Sequence, residues 1–180
     1  MYPFFRLFKD MYFARRAPRI GFFDTHVSYH RCMPWDLDLW MELNNGRTLT
    51  LYDLGRIPMA ERAGLLAILK RETWGLTIAG SVVRYRRRVR MFDKVKVLSR
   101  VAGWDHRFVY IEQSMWKGSE CTSHAVYRSA VTDRNGIVTP DRIMAAFELD
   151  ATSPEMPEWI RLWIAAEDKR PWPPMTDAEA

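Results

Sequence analysis

PWDLDLWMELNNGRTLTLYDLGR, residues Pro34 to Arg56, sets two aspartates, a glutamate and an Asn-Asn-Gly turn directly ahead of a helix. Leu51, Leu54, Gly55 and Met59 fall on one side at helical spacing. Asn45 or Thr48 can cap the start, and Pro58 predicts a kink or a split inside it. The acids admit two readings. Asp36, Asp38 and Glu42 can be ordinary N-terminal acids that offset the helix dipole, or carboxylates placed for nucleophilic and acid-base work.

Outward from this stretch the pattern changes. THVSYHRCM, Thr25 to Met33, alternates as a strand does. From Gly75 the period is two: LTIAGSVVRYRRRVR, KVKVLSRVAGW, RFVYIEQSMW and CTSHAVYRSAVT read as strands, joined by turns at Phe92-Asp93, Trp104-Asp105-His106 and Lys117-Gly118-Ser119. Asp133 to Gly136, DRNG, closes the last strand with a turn. One strand, a helix of about twenty residues and four strands in succession is an α+β order, and short turns make the sheet antiparallel. Because the helix is apolar on more than one side, the sheet most simply wraps around it. After Pro140 come a short helix, a second around PEWIRLWIAAEDK, and a loose proline-rich end. The expected organisation is an amphipathic segment over 1–24, the α+β domain over 25–138 and a helical extension with its tail over 139–180.

Of 180 residues, 48% are hydrophobic and 27% charged, the balance of a folded domain rather than a disordered chain. Eight Trp, nine Phe and seven Tyr are more than a core of this size needs, so a pocket or an oligomer interface is expected too. Cys32 and Cys121 have no metal-like spacing, which argues against a disulfide framework or a Cys-based zinc site and for a reducing, cytoplasmic setting. The net charge of +5 and pI of 9.4 favour polyanionic partners: phosphates, membrane headgroups or nucleic acid. No apolar run approaches the roughly 20 residues of a membrane-spanning helix. In MYPFFRLFKDMYFARRAPR, a helical wheel puts Phe4, Leu7, Phe8, Met11 and Tyr12 on one side and Arg6, Lys9 and Asp10 on the other. A signal peptide is not expected, since Arg6, Lys9 and Asp10 interrupt any apolar core and no small-residue cleavage site follows. Such a helix either packs on its own domain or a dimer mate, or makes peripheral contact with a membrane surface.

With these elements in place, the chain resembles the hotdog-fold acyl thioesterases, in their 4-hydroxybenzoyl-CoA thioesterase-like branch. The branch signature D-x-D-x-x-x-H-x-N-N is matched by Asp36, Asp38, Asn44 and Asn45, with Glu42 standing where the branch has His. Trp40 stands where the plant acyl-carrier-protein thioesterases have Asn. GWDHRFVYIE, Gly103 to Glu112, resembles a strand pair of the same branch, and the resemblance covers Thr25 to Val138. It implies a hotdog fold and hydrolysis of an acyl-CoA to free acid and CoA, with Asp38 as nucleophile or general base. A carboxylate can attack a thioester carbonyl or deprotonate the water that does, and helix N-terminal amides can hold the oxyanion. By the same resemblance Asn44 braces the turn and orients the acid, while Asn45 and Gly46 offer amides to the thioester oxygen. Glu42 becomes the second acid-base candidate, given a pKa raised by burial. No metal or redox cofactor is implied, and CoA enters only as part of the substrate. A single sheet around one helix leaves an edge strand and an open face, and the resemblance covers them with a homodimer or dimer of dimers whose acyl pocket lies at the subunit junction.

RYRRRVR, Arg84 to Arg90, is the other charged feature. In a strand Arg84, Arg86, Arg88 and Arg90 point one way, either as a cradle for CoA phosphates or as a solvated face. A nucleic-acid surface is not expected, since Tyr85 alone supplies too little stacking. His26 and His30, about 13 Å apart along a strand, cannot share a metal, and all four histidines read as structural. The apolar helix and GLTIAGSVV lean towards a fatty or aromatic acyl chain. The alternative is a non-catalytic acyl-CoA-binding or scaffold protein on the same fold, favoured by the missing histidine at position 42.

Overall fold

Alternating apolar strands and one apolar helix pack into two layers in the computed structural model, which describes residues 2–174. Helix α1 (Phe4–Arg16) comes first, followed by strand β1 (His26–Arg31) and a short 3-10 turn, Pro34–Asp36. Then come α2 (Asn45–Arg62), α3 (Leu65–Glu72), β2 (Gly75–Tyr85), β3 (Lys94–Trp104), β4 (Val109–Lys117) and β5 (Glu120–Asp133). A short β6 (Gly136–Val138), α4 (Pro140–Ala146) and α5 (Glu158–Asp168) complete the order. The sheet runs β1-β3-β4-β5-β2, antiparallel throughout, with β6 on β5. It curls around α2, which makes this a hotdog fold.

The inner layer is the contact of α2 with the sheet. Leu51, Tyr52 and Leu54 are fully buried and belong to one core with Val95, Val97, Met115, Ala125 and Tyr127. Gly55 sets the approach: a Cβ there would stand 3.0 Å from Val97 Cγ1 and 3.1 Å from the hydroxyls of Ser28 and Ser99. On the opposite, convex face, Ile160 of α5 is buried among Phe108, Tyr110, Val126 and Ala130.

Several expectations need correction. Pro58 lies inside an unbroken α2, held by flanking Leu54 and Met59 packed on the core; the chain breaks instead at Gly64, whose φ of +88° suits glycine. Asn44 caps α2, rather than Asn45 or Thr48. Strand β2 stops at Tyr85, because the amides of Arg86 and Arg87 both donate to Thr122 O and the alternation of the arginines ends there. β6 has no counterpart in the expected order.

Helix α1 is rotated relative to the helical-wheel reading, which holds for Leu7 and Met11 but not for Phe4, Phe8 and Tyr12. Its inward side carries Arg6, Leu7, Asp10, Met11 and Ala14, while Phe4, Phe8 and Tyr12 are exposed together with Phe5 and Phe13. Of the inward charges, Arg6 has a buried partner, its Nη1 lying 2.7 Å from Asp36 Oδ2, whereas Asp10 Oδ2 is buried without a hydrogen-bond partner and its Oδ1 lies 3.3 Å from Lys9 Nζ. His26 and His30 are buried, and burial pushes their pKa values down to about 4 and about 3, so both stay neutral at pH 7. Residues 175–180, part of the expected loose end, lie outside the described residues.

Candidate functional site

The chain between β1 and α2 folds as a small hairpin. Leu37 and Leu43 bridge, the Asp38 amide donates to Glu42 O (2.9 Å) and the Met41 amide to Asp38 O (3.1 Å). Met41 closes the turn at φ +59°, a conformation that side chains adopt at a cost. The hairpin is pinned to its surroundings by Leu43 N to Val89 O (2.8 Å) and Asn44 N to Asp36 O (2.9 Å).

The two aspartates do different work. Asp36 is only 2% exposed, accepts from Arg6 and from the Met33 amide (3.0 Å), and has Arg47 Nε at 3.9 Å. It is a buried anchor. Asp38 is half-buried, and its Oδ1 accepts from the amides of Trp40 (2.9 Å) and Glu42 (3.4 Å), which hold the carboxylate on its own loop. Asp38 lines a cavity of about 220 Å³ at the N-terminal end of α2, together with Glu42, Asn45, Tyr85 and Arg86, Arg87 and Arg88. Thr48, Met115, Thr122 and Ser123 close its floor.

Glu42 lies 3.0 Å from Arg88 Nε, an ion pair across the mouth. Asn44 Oδ1 accepts from the Gly46 amide (2.9 Å) and the Arg47 amide (3.3 Å), so it braces the helix start. That engagement corrects one expectation: the Gly46 amide is taken up by the cap, and Asn45, at the first helical position where a backbone N–H has no intrahelical acceptor, is the residue that lines the cavity. Arg84 is also displaced from the site. It pairs with His124 across β2 and β5 and lines a separate cavity on the convex face beside Trp159.

Several residues of the cavity escaped the sequence reading as site residues, among them the polar Thr48, Tyr85, Arg87, Thr122 and Ser123. Tyr85 donates to Asn45 O (3.3 Å), and the Ser123 hydroxyl shares a hydrogen bond with Tyr52 (2.9 Å). Strand alternation places Tyr85 and Ser123 on the helix side, the one signal that could have found them. Deeper along α2, Gln113 donates to Tyr52 O (2.9 Å) and Ser99 Oγ (2.7 Å), and Arg56 pairs with Asp53 and donates to Gln113 (3.3 Å). Beyond this polar belt lies a small apolar cavity of about 60 Å³, lined by Met59, Ala63, Leu76, Ile78, Ile111 and Phe147 among others. Among the described residues, no three His, Cys, Asp or Glu side chains come together as a metal site.

Comparison with known proteins agrees with this architecture. A family model described as the thioesterase-like superfamily matches residues 32–164. Protein THEM6 of Drosophila melanogaster is 29% identical over 144 residues, which cover 79% of this chain and 74% of that protein. Protein THEM6 of Xenopus laevis is 29% identical over 139 residues, covering 76% of this chain and 65% of its own. Among solved structures, the probable thioesterase YbaW from Escherichia coli matches with a TM-score of 0.64 at 13% identity, over 68% of this chain and 96% of that one. A 1,4-dihydroxy-2-naphthoyl-CoA thioesterase from Synechocystis matches at 0.58 and 10% identity, over 69% and 96%. At such identities the structural likeness speaks for the fold.

Proposed function

The chain belongs to the thioesterase-like superfamily, and from that premise we propose that it hydrolyses an acyl-CoA thioester, with Asp38 as nucleophile or general base. One observation carries the reading: Asp38, the start of α2 and Arg86, Arg87 and Arg88 share a single cavity. The carboxylate would attack the thioester carbonyl to give an acyl-aspartyl anhydride and CoA thiolate, water then releasing the acid. Alternatively it takes a proton from the water that attacks directly. In either course the oxyanion sits against the first turn of α2, where the Asn45 amide and the helix dipole favour negative charge. The arginines suit the phosphates of CoA, since guanidinium groups bind phosphate with paired hydrogen bonds. Glu42 is the second acid-base group once substrate draws Arg88 away.

Assembly belongs to the same proposal. β2 is a sheet edge, exposed along most of its length. Antiparallel pairing of two β2 strands about a two-fold axis would set the Leu76–Ile78 end of one copy beside the Tyr85 end of the other. The apolar cavity lined by Leu76 and Ile78 would then adjoin the polar cavity of the second copy, head and tail compartments for an acyl thioester with a fatty or aromatic chain.

The second reading, acyl-CoA binding without hydrolysis, is favoured by the Glu42–Arg88 pair and by the Gly46 amide held in the cap. Thiol release from short, long and aromatic acyl-CoAs separates the two. Wild-type release should fall by at least about 100-fold in Asp38→Asn. Glu42→Gln should fall less if the glutamate only positions Arg88. Tight binding with no thiol release by wild type would hand the site to the second reading.

A further inference from the structure

Helix α1 presents its aromatic rings outward, and that exposed row calls for something to cover it. Phe5 is 93% exposed, and Phe8 lies on the same outer face with the cations Lys9, Arg15 and Arg16. The helix is not loosely attached. Arg6 reaches Asp36 and also donates to Arg31 O (2.8 Å), so the outward rings are fixed against the edge of the domain that holds the candidate site.

The same edge carries two further apolar tips. The hairpin turn exposes Leu39 at 93% and Trp40 at 75%, and the turn between β2 and β3 exposes Phe92. Hydrogen bonds join these tips into one border: the Phe92 amide donates to Cys32 O (2.7 Å), next to the Arg31 carbonyl that Arg6 holds, and Glu42 bridges to Arg90. Each tip also keeps a side-chain-bearing residue in left-handed backbone, Met41 at φ +59° and Phe92 at φ +65°. Glycine would meet those angles without strain, so what the positions retain is a large apolar side chain held outward.

We propose that this border, α1 with the Trp40 and Phe92 tips, seats on an anionic lipid bilayer, aromatic rings at headgroup depth and basic side chains on the lipid phosphates. Aromatic residues beside Lys and Arg are the composition of an interfacial surface. The charge is complementary: α1 turns Lys9, Arg15 and Arg16 outward, with Arg15 also 3.3 Å from Glu61, while Arg6 and the single acid Asp10 lie on its inward side, on a chain of net charge +5. A second copy fits less well, because a two-fold contact through this face would bring together two surfaces on which α1 turns out Lys9, Arg15 and Arg16 and no acid. Trp40 donates its amide to Asp38, so seating the hairpin tip in lipid would bring the mouth of the Asp38 cavity to the membrane surface, where long acyl thioesters partition. This seating does not rest on hydrolysis, since binding is read without substrate.

The test is flotation of the full chain with vesicles of phosphatidylcholine alone and with about 30% phosphatidylserine. Wild type should float with the anionic vesicles, weakened by salt. Phe5→Ser/Phe8→Ser and, separately, Trp40→Ser should each lose at least about tenfold in partition with unchanged circular dichroism, since these rings are largely out of the core. Wild type left in the aqueous fraction overturns the proposal, as do variants that float as well as wild type. Light scattering that shows a larger assembly for wild type than for the Phe5/Phe8 variant would give this face to a second copy and overturn it equally.

Discussion

Asp36 and Asp38 stand two residues apart in a run of acids, yet their surroundings assign them opposite tasks. Asp36 is buried against a guanidinium and a backbone amide, so Asp36→Asn should cost about 2–3 kcal/mol through the weakened charged hydrogen bonds. Differential scanning calorimetry should show the loss as a melting temperature several degrees lower, whereas Asp38→Asn should leave the melting temperature near wild type; equal melting temperatures for the two variants would undo the division. Only part of this was legible in the sequence. The D-x-D spacing singled out both residues, but the partner that decides between them, Arg6, lies thirty positions upstream on a helix whose docking no local pattern announces. The Gly46 amide was misassigned for a related reason: the Asn44 cap that occupies it is a rotamer choice, and Asn44 and Asn45 are equally good caps by type.

At the scale of elements, period alone carried the reading far. β3 begins and ends where its alternation does, and α4 and α5 lie where the Pro140 and PEWIRLWIAAEDK signals put them. Reading failed where tertiary contacts overrode period: β2 gives up its arginine half to Thr122 O, and α1 turns its aromatic side away from the domain while Arg6 finds the buried Asp36. Gly55, read simply as one of four residues on a helix face, proves to be a point of close approach between α2 and the sheet. Gly55→Ala gains up to about 1 kcal/mol of helix propensity and loses a similar amount to crowding against Val97, so its stability should change little. Gly55→Val adds two methyl groups with nowhere to go and should cost about 1–3 kcal/mol, read from urea unfolding; a valine variant as stable as wild type would show that α2 can lift off β3 freely.

For the whole molecule the open question is what covers the edge. α5 already occupies much of the convex face, where Ile160 is buried, so a pair of chains is expected to meet through β2 rather than through stacked sheets. Light scattering at micromolar concentration should therefore return twice the chain mass of 21.3 kDa. A monomer would leave the head and tail compartments apart and remove the structural basis for a long acyl chain. The sequence could suggest a covered edge from the shape of the fold, but which edge is exposed followed only from the strand order.

The Arg6–Asp36 pair also bears on how this protein is handled at the bench. The first sixteen residues look like a dispensable leader, and trimming them, or fusing a bulky tag just ahead of Phe4, is a natural first step in purification. Such a protein would keep every residue of the Asp38 cavity, yet leave a buried carboxylate without its guanidinium two positions from the candidate acid. An inactive trimmed preparation would thus report on a loosened hairpin rather than on the chemistry, and the untagged amino-terminal helix belongs in any assay meant to judge the site.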